Sequence, residues 1–216
     1  MLVPFGNRKV EGYVLNVKND ITQKPDETGY VPENTVLGGY FDSQEKITIN
    51  GNGHTINGGG YDGFKMTSYN SGECGREATI NNATLTNFSK KNYYIDVISI
   101  EGPYENGDYT TLTLNDVNIV NNDAGIYMYG NAMLNINSSN NVRISSNTGG
   151  IVNNGTINFK GNNIHIADTP VENNGEMYND SNLTIDSDLT IDEMGFISKQ
   201  KNSKFKWCSW RIWLYS

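Results

Sequence analysis

The chain of 216 residues has little of what builds a disulfide framework, a membrane span or a nucleic-acid surface. It has two cysteines, five prolines, two histidines, and sixteen Lys and Arg against twenty-four Asp and Glu. Cys74 and Cys208 lie far apart in regions of different composition, so they make neither a metal motif nor a disulfide framework. No apolar run reaches the roughly 18 residues that a membrane-spanning helix needs. The opening MLVPFGNRKVEG has no hydrophobic core of a secretory signal, so, taken literally, the chain carries neither an export signal nor a transmembrane segment. A formal charge of −8 and a pI near 4.7 argue against nucleic acid as a partner, because a phosphate backbone is bound by clustered Lys and Arg. Helical periodicity is missing as well: no segment repeats its apolar residues every 3.6 positions, and Asn and Gly are poor helix formers.

What the chain has in quantity is asparagine, 33 residues, together with 23 glycines. Both tolerate positive φ, so the chain turns often. Short pulses of Ile, Leu and Val return between the Asn-Gly clusters, which low-complexity disorder lacks. The pulses form a repeat: apolar-x-apolar, a short Asn/Gly/Asp turn, then apolar-x-apolar. It begins at Ile47-Thr48-Ile49 and continues through ATINNATLTNF, TLTLNDVNIVNN, MLNINSSNNVRISSN, TINFKGNNIHIADT and NLTIDSDLTIDEMG. Leading apolar positions at Ile47, Ile80, Leu112, Leu134, Ile157 and Leu183 give spacings of 33, 32, 22, 23 and 26 residues. A third pulse sits between successive pairs, in VISIEG (97–102), GIYMYG (125–130) and GGIVNNG (149–155).

Strict alternation puts Leu134 and Ile136, or Ile164 and Ile166, on one face of a strand and Asn135 or His165 on the other. One such layer cannot bury its apolar face alone, but stacked layers pair every strand in parallel with its counterparts above and below. Antiparallel hairpins would give a period of about 10–14 residues, shorter than the one seen. The predicted fold is therefore all-β: a right-handed parallel β-helix of about six coils with three short strands per coil, the hand following from the near-universal right-handed crossover. Recurrent Asn pairs at 81–82, 121–122, 140–141, 153–154, 162–163 and 173–174 are expected to occupy left-handed turn positions in part and to hydrogen-bond along the stack as amide ladders.

At ITINGNGHTINGGG (Ile47 to Gly60) and in the coils after it, over about residues 36–195, the sequence resembles the β-helix repeats of autotransporter passenger domains, polymorphic outer-membrane proteins and archaeal adhesin-like proteins, of pectate-lyase-like fold. The resemblance implies a surface-exposed or secreted chain that binds passively, with a signal peptide in front and a membrane or wall anchor behind in intact relatives. It also implies that this chain is a fragment of a longer protein.

Three regions are expected: a cap and lead-in over 1–46, the β-helix over 47–197, and an atypical tail over 198–216. The tail collects Lys199, Lys201, Lys204, Lys206 and Arg211 without an acid, leaving −13 on residues 1–198, and holds all three tryptophans, Trp207, Trp210 and Trp213. Its composition fits an out-of-frame end, a solenoid cap or a membrane-surface helix.

The β-helix fold also carries polysaccharide lyases and hydrolases, whose chemistry needs paired carboxylates, or a metal and a basic residue. The signatures that such hydrolases share are not assembled here, and Gly53-His54-Thr55 is not their Gly-His-Gly. Available acids are Asp116, Asp123, Asp168, Asp186, Asp188, Asp192 and Glu193, and Arg143 is the only Arg in the tight coils. Asp186, Asp188 and Asp192 are candidates for a calcium cluster, with solvated turn acids as the simpler account. His54 and His165 sit in different coils as surface residues, too far apart for a metal site. Sequons at Asn82, Asn154 and Asn182 arise by chance in a chain this rich in Asn and Thr. Tyr93, Tyr94, Tyr104, Tyr109, Tyr127 and Tyr129 crowd into one stretch, and the Gly- and Tyr-rich segments 61–77 and 101–110 look like loops inserted between strands, where binding usually resides. The functional expectation is a monomeric, non-catalytic adhesin-like surface for a glycan or a protein on another cell, with no catalytic residues, cofactor or metal. The alternative is a fragment of a polysaccharide lyase or glycoside hydrolase.

Overall fold

The computed structural model describes residues 12–24, 46–67, 76–90, 96–103, 109–199 and 204–205. Among them there is no helix, and every strand pairing is parallel. The strands form two sheets, one of thirteen and one of six, curled into a half-barrel.

The larger sheet contains two stacks. The first runs β1 (Tyr13–Asn16), β3 (Ile47–Asn50), β6 (Glu77–Asn81), β9 (Thr110–Asn115), then the leading halves of β12 (Ala132–Asn147), β14 (Thr156–Ala167) and β16 (Glu176–Asp186), and β18 (Phe196–Lys199). The second runs β2 (Ile21–Thr22), β4 (Thr55–Asn57), β7 (Thr84–Thr86), β10 (Asn118–Asn122), the trailing halves of β12, β14 and β16, and β19 (Lys204–Phe205). Irregularities at Ser138/Asn141 and Lys160/Asn163 bend the long strands from one stack into the other. The smaller sheet is the third stack: β5 (Phe64–Thr67), β8 (Ile98–Glu101), β11 (Ile126–Tyr129), β13 (Ile151–Asn153), β15 (Val171–Asn173) and β17 (Leu189–Ile191).

Alternation along the strands sends columns of side chains inward from each stack. Ile49, Ile80, Leu114, Ile136 and Phe159 lie in register in the first, Ile56, Leu85, Ile119, Ile144, Ile166 and Ile185 in the second, and Phe64, Ile98, Ile126, Ile151, Val171 and Leu189 in the third; all are buried. Each such aliphatic or aromatic side chain contributes about 1.5–3 kcal/mol by leaving water. Layers also meet without side chains. A Cβ on Gly125 would lie 2.0 Å from the Gly150 carbonyl oxygen, so this crossing excludes any larger residue.

The register differs from the expected alignment in three places. Ile47 pairs with Ala78, while Ile80 pairs with Ile49 and Leu114. Ile157 pairs with Met177, whereas Leu183 belongs to the second stack opposite Ile164. Each strand carries two inward positions, two residues apart, so spacing alone leaves the phase ambiguous by two. In β16 the inward positions after Met177 are Asn179 and Ser181, both buried and hydrogen-bonded to each other, so the apolar pulse that would have marked the strand is missing.

Amide ladders are present. Asn50 donates to Asn16 at 2.9 Å, Asn81 to Asn50 at 2.9 Å, Asn115 to Asn81 at 2.8 Å and Asn137 to Asn115 at 2.8 Å, through Nδ2 to Oδ1 in each case. Successive members are 34, 31, 34 and 22 residues apart in sequence, so insertions are absorbed between strands and the ladder stays continuous. Of the recurrent pairs, Asn82 and Asn121 do take left-handed φ, as do Asn52, Asn87, Asp116, Ser146 and Asp168. Asn153 and Asn173 do not: they are fully buried, and Asn153 donates to Asn173 Oδ1 at 2.7 Å and to the Glu176 carbonyl. A second interior chain runs from Asn122 to Asn147 at 2.7 Å and from Asn147 to Thr169 Oγ1 at 3.3 Å, with further donations to the Leu85 and Ile119 carbonyls.

Two changes test the ladders. The outer one stops at Asn137, whose buried Oδ1 has no donor, because Lys160 fills the next register position. Lys160→Asn extends it and is expected to raise stability by about 1 kcal/mol in urea unfolding; an unchanged midpoint would show that the ladder adds nothing. Asn147→Ala strips Asn122 and the Ile119 carbonyl of partners and is expected to cost about 2 kcal/mol or more.

Candidate functional site

A void lined by Ile47, Ile49, Phe64, Met66, Ala78 and Ile80, among others, measures about 20 Å³, room for about one water in apolar surroundings that keep water out.

The outward face of the third stack, around β5, β8 and β11, gathers more polar chemistry. Register puts Lys65 beside Ser99 and Ser99 beside Tyr127 in one outward column, and Thr67, Glu101 and Tyr129 in the next. Lys65 Nζ reaches Glu101 Oε1 at 3.0 Å, with only 27% and 23% of the two side chains exposed. Ser99 is buried, and its Oγ accepts the Asp96 N–H at 3.1 Å. At the corner leading into β8, the buried Asp96 Oδ1 holds Lys90 Nζ at 2.7 Å and the Gly125 N–H at 3.0 Å. Asp62 is also buried, one layer away, next to Gly63, whose backbone closes on the carbonyls of Asp96 and Val97. One layer further along, the Tyr127 and Tyr129 rings stack with centroids 6.5 Å apart and planes 16° from parallel; Tyr127 is half-buried and Tyr129 is 42% exposed.

The tyrosine-rich stretch thus contributes Tyr127 and Tyr129 to this face. Tyr109 is exposed just ahead of β9 in the first stack, and Tyr93, Tyr94 and Tyr104 lie outside the described residues, as do Cys74, Cys208 and the three tryptophans. The acids singled out from sequence do not converge. Asp116 holds the Ser139 N–H and hydroxyl at 2.7 Å each, and Asp123 and Asp168 are exposed turn residues. Asp186, Asp188, Asp192 and Glu193 are exposed, and among the described residues no group of three or more His, Cys, Asp or Glu could hold a metal ion. Arg143 is exposed and lies in register with Asn118 and His165, which is half-buried and faces outward. His54 meets Asp20 at 3.3 Å; the Thr55 N–H, with a smaller contribution from that ring, holds the Asp20 carboxyl below its ordinary value.

Lys65, Lys90, Asp96 and Glu101 were not singled out from sequence. Lys65 breaks the apolar run of FKM and Glu101 ends ISIE, but their pairing spans an insertion and becomes legible only once Phe64 is matched to Ile98. Comparison with protein-family models, curated proteins and solved structures found no match.

Asp96→Ala leaves Lys90 and the Gly125 N–H without their acceptor and is expected to cost about 3 kcal/mol. Asp96→Asn keeps an oxygen for Gly125 and should cost about half as much. Equal losses in thermal unfolding would mean that the ion pair, not the backbone contact, holds this corner.

Proposed function

We propose that this chain is a right-handed parallel β-helix that acts as a non-catalytic, adhesin-like binding surface, displayed outside the cell as part of a longer protein, and that the outward face of the third stack takes a glycan. The observation that carries this reading is the stacked Tyr127/Tyr129 pair beside the Lys65–Glu101 ion pair. Flat amphipathic rings cover apolar sugar faces at low entropic cost, while charged and amide groups beside them orient hydroxyls. In-register stacking in three columns with inward aliphatics supports the β-helix part. Glu101 and Asp96 each hold a lysine. A glycosidase needs two carboxyls at a set distance across the scissile bond, and each of these two is engaged by a lysine instead.

The alternative, a polysaccharide lyase or hydrolase fragment, rests on one specific feature: Asp62 and Asp96, both buried in adjoining layers, with Lys90 on Asp96. A glycan array probed with the full chain separates the two, followed by incubation of any bound polysaccharide with assay of reducing ends and unsaturated products. The binding reading expects retention without product, and about a tenfold loss of affinity in a Tyr127→Ala/Tyr129→Ala variant whose unfolding midpoint is little changed. Product release abolished by Asp96→Asn would establish the enzyme reading instead, and binding insensitive to both tyrosine changes would remove this face from the account.

A further inference from the structure

A second constellation lies on the other sheet, on the outward face of the first stack, and does not depend on the reading above. Register places Thr156, Glu176 and Phe196 in one column and Asn158, Tyr178 and Ser198 in the neighbouring one. The Tyr178 hydroxyl donates to Glu176 Oε2 at 3.1 Å, with Thr156 Oγ1 at 3.5 Å from the same oxygen. Tyr178 and Phe196 meet edge to face, centroids 5.5 Å apart at 88°. Phe196 is 41% exposed and Glu176 half-buried. Asn153 pins the backbone beneath by donating to the Glu176 carbonyl.

The partners of Glu176 differ from those of the lysine-bound acids. Glu77 holds Lys46, Glu101 holds Lys65 and Asp96 holds Lys90, yet the Glu176 carboxylate is held by neutral hydroxyls and flanked by aromatic rings. The Tyr178 hydroxyl responds to this: its hydrogen bond to Glu176, then desolvation, then the charges of Glu176 and of the nearby Tyr109 raise it above its usual value of 10.0. A proton held more firmly in the folded state contributes stability below about pH 10 that is lost as pH climbs through the raised value.

We infer that the Glu176–Tyr178–Phe196 cluster is a binding site for an organic ammonium group, of the kind carried by a deacetylated amino sugar. Glu176 offers the charge-assisted acceptor, and the rings offer the π-surface to which a cation and its adjoining C–H groups are attracted. The chain's formal charge of −8 favours a cationic ligand over uronates or sulfated sugars. A hard inorganic cation fits less well, since calcium takes six to eight oxygens, and no acid cluster able to hold a metal exists among the described residues.

The test titrates the isotopically labelled full chain with a glucosamine tetramer at a pH where its amines are charged, with the N-acetylated tetramer as neutral control and choline chloride as a free quaternary ammonium. The expected result is saturable shifts of the Tyr178 and Phe196 rings with the glucosamine tetramer, at least about tenfold weaker for the N-acetylated one. Glu176→Gln should weaken the amine about tenfold and abolish the discrimination, whereas Tyr178→Phe, which keeps the ring, should cost only a few-fold. Shifts with choline alone would replace the amino sugar by a methylated ammonium as the ligand and overturn that part of the proposal. Equal binding of both tetramers, unchanged binding in Glu176→Gln with the circular dichroism of the parent, or no shift with any cation would overturn it entirely.

Discussion

Lateral identity governs every layer of the stack. When strands stack in parallel and in register at about 4.8 Å, each side chain sits directly on its counterpart one layer away, so a column must be chemically compatible along its whole length. Aliphatic columns meet that condition through dispersion and exclusion of water. Amide columns meet it because an Asn offers a donor on one side and an acceptor on the other, so that Asn16, Asn50, Asn81, Asn115 and Asn137 satisfy one another over four consecutive contacts. The abundance of asparagine follows from this arithmetic more than from turns. Interior amides at Asn122, Asn147, Asn153 and Asn173 show that the ladder tolerates burial when every member has a partner.

Much of this was legible in the sequence. The pulses at 97–102, 125–130 and 149–155 hold three of the six strands of the third stack, and alternation in LNIN and IHI correctly assigns inward and outward residues. The phase was less legible, because apolar-x-apolar offers two equivalent inward positions and Ala78 is a weak marker beside Ile80. The first strand of the β16 layer was missed for a different reason: Asn179 and Ser181 face inward, which no apolar count reveals. Asn153 and Asn173 read as turn residues by type, and only the stack converts them into core. The candidate site was half visible. Tyr127 and Tyr129 stand out by composition and alternation, but Lys65–Glu101 and Lys90–Asp96 depend on insertion lengths that a sequence pattern does not encode.

A rigid stack of this kind separates two tasks. Inward columns and amide ladders carry the stability, leaving outward positions free to vary without disturbing the register. Both outward clusters use that freedom, and they differ in electrostatics: on the third stack lysines accompany the acids, while on the first stack Glu176 sits among hydroxyls and rings. A neutral, hydroxyl-rich ligand suits the first arrangement and a cationic one the second, so the two faces are complementary parts of a proposed carbohydrate-binding surface.

Methyl–methyl NOEs on an Ile/Leu/Val-labelled chain read the in-register parallel stacking of layers contact by contact. Stacking in register requires an unbroken series of contacts down the third stack from Ile98 to Ile126, Ile151, Val171 and Leu189, with a parallel series through Leu85, Ile119, Ile144, Ile166 and Ile185 in the second. Contacts that instead join neighbouring segments head to tail, as antiparallel hairpins would, or that skip members of either series, would contradict it.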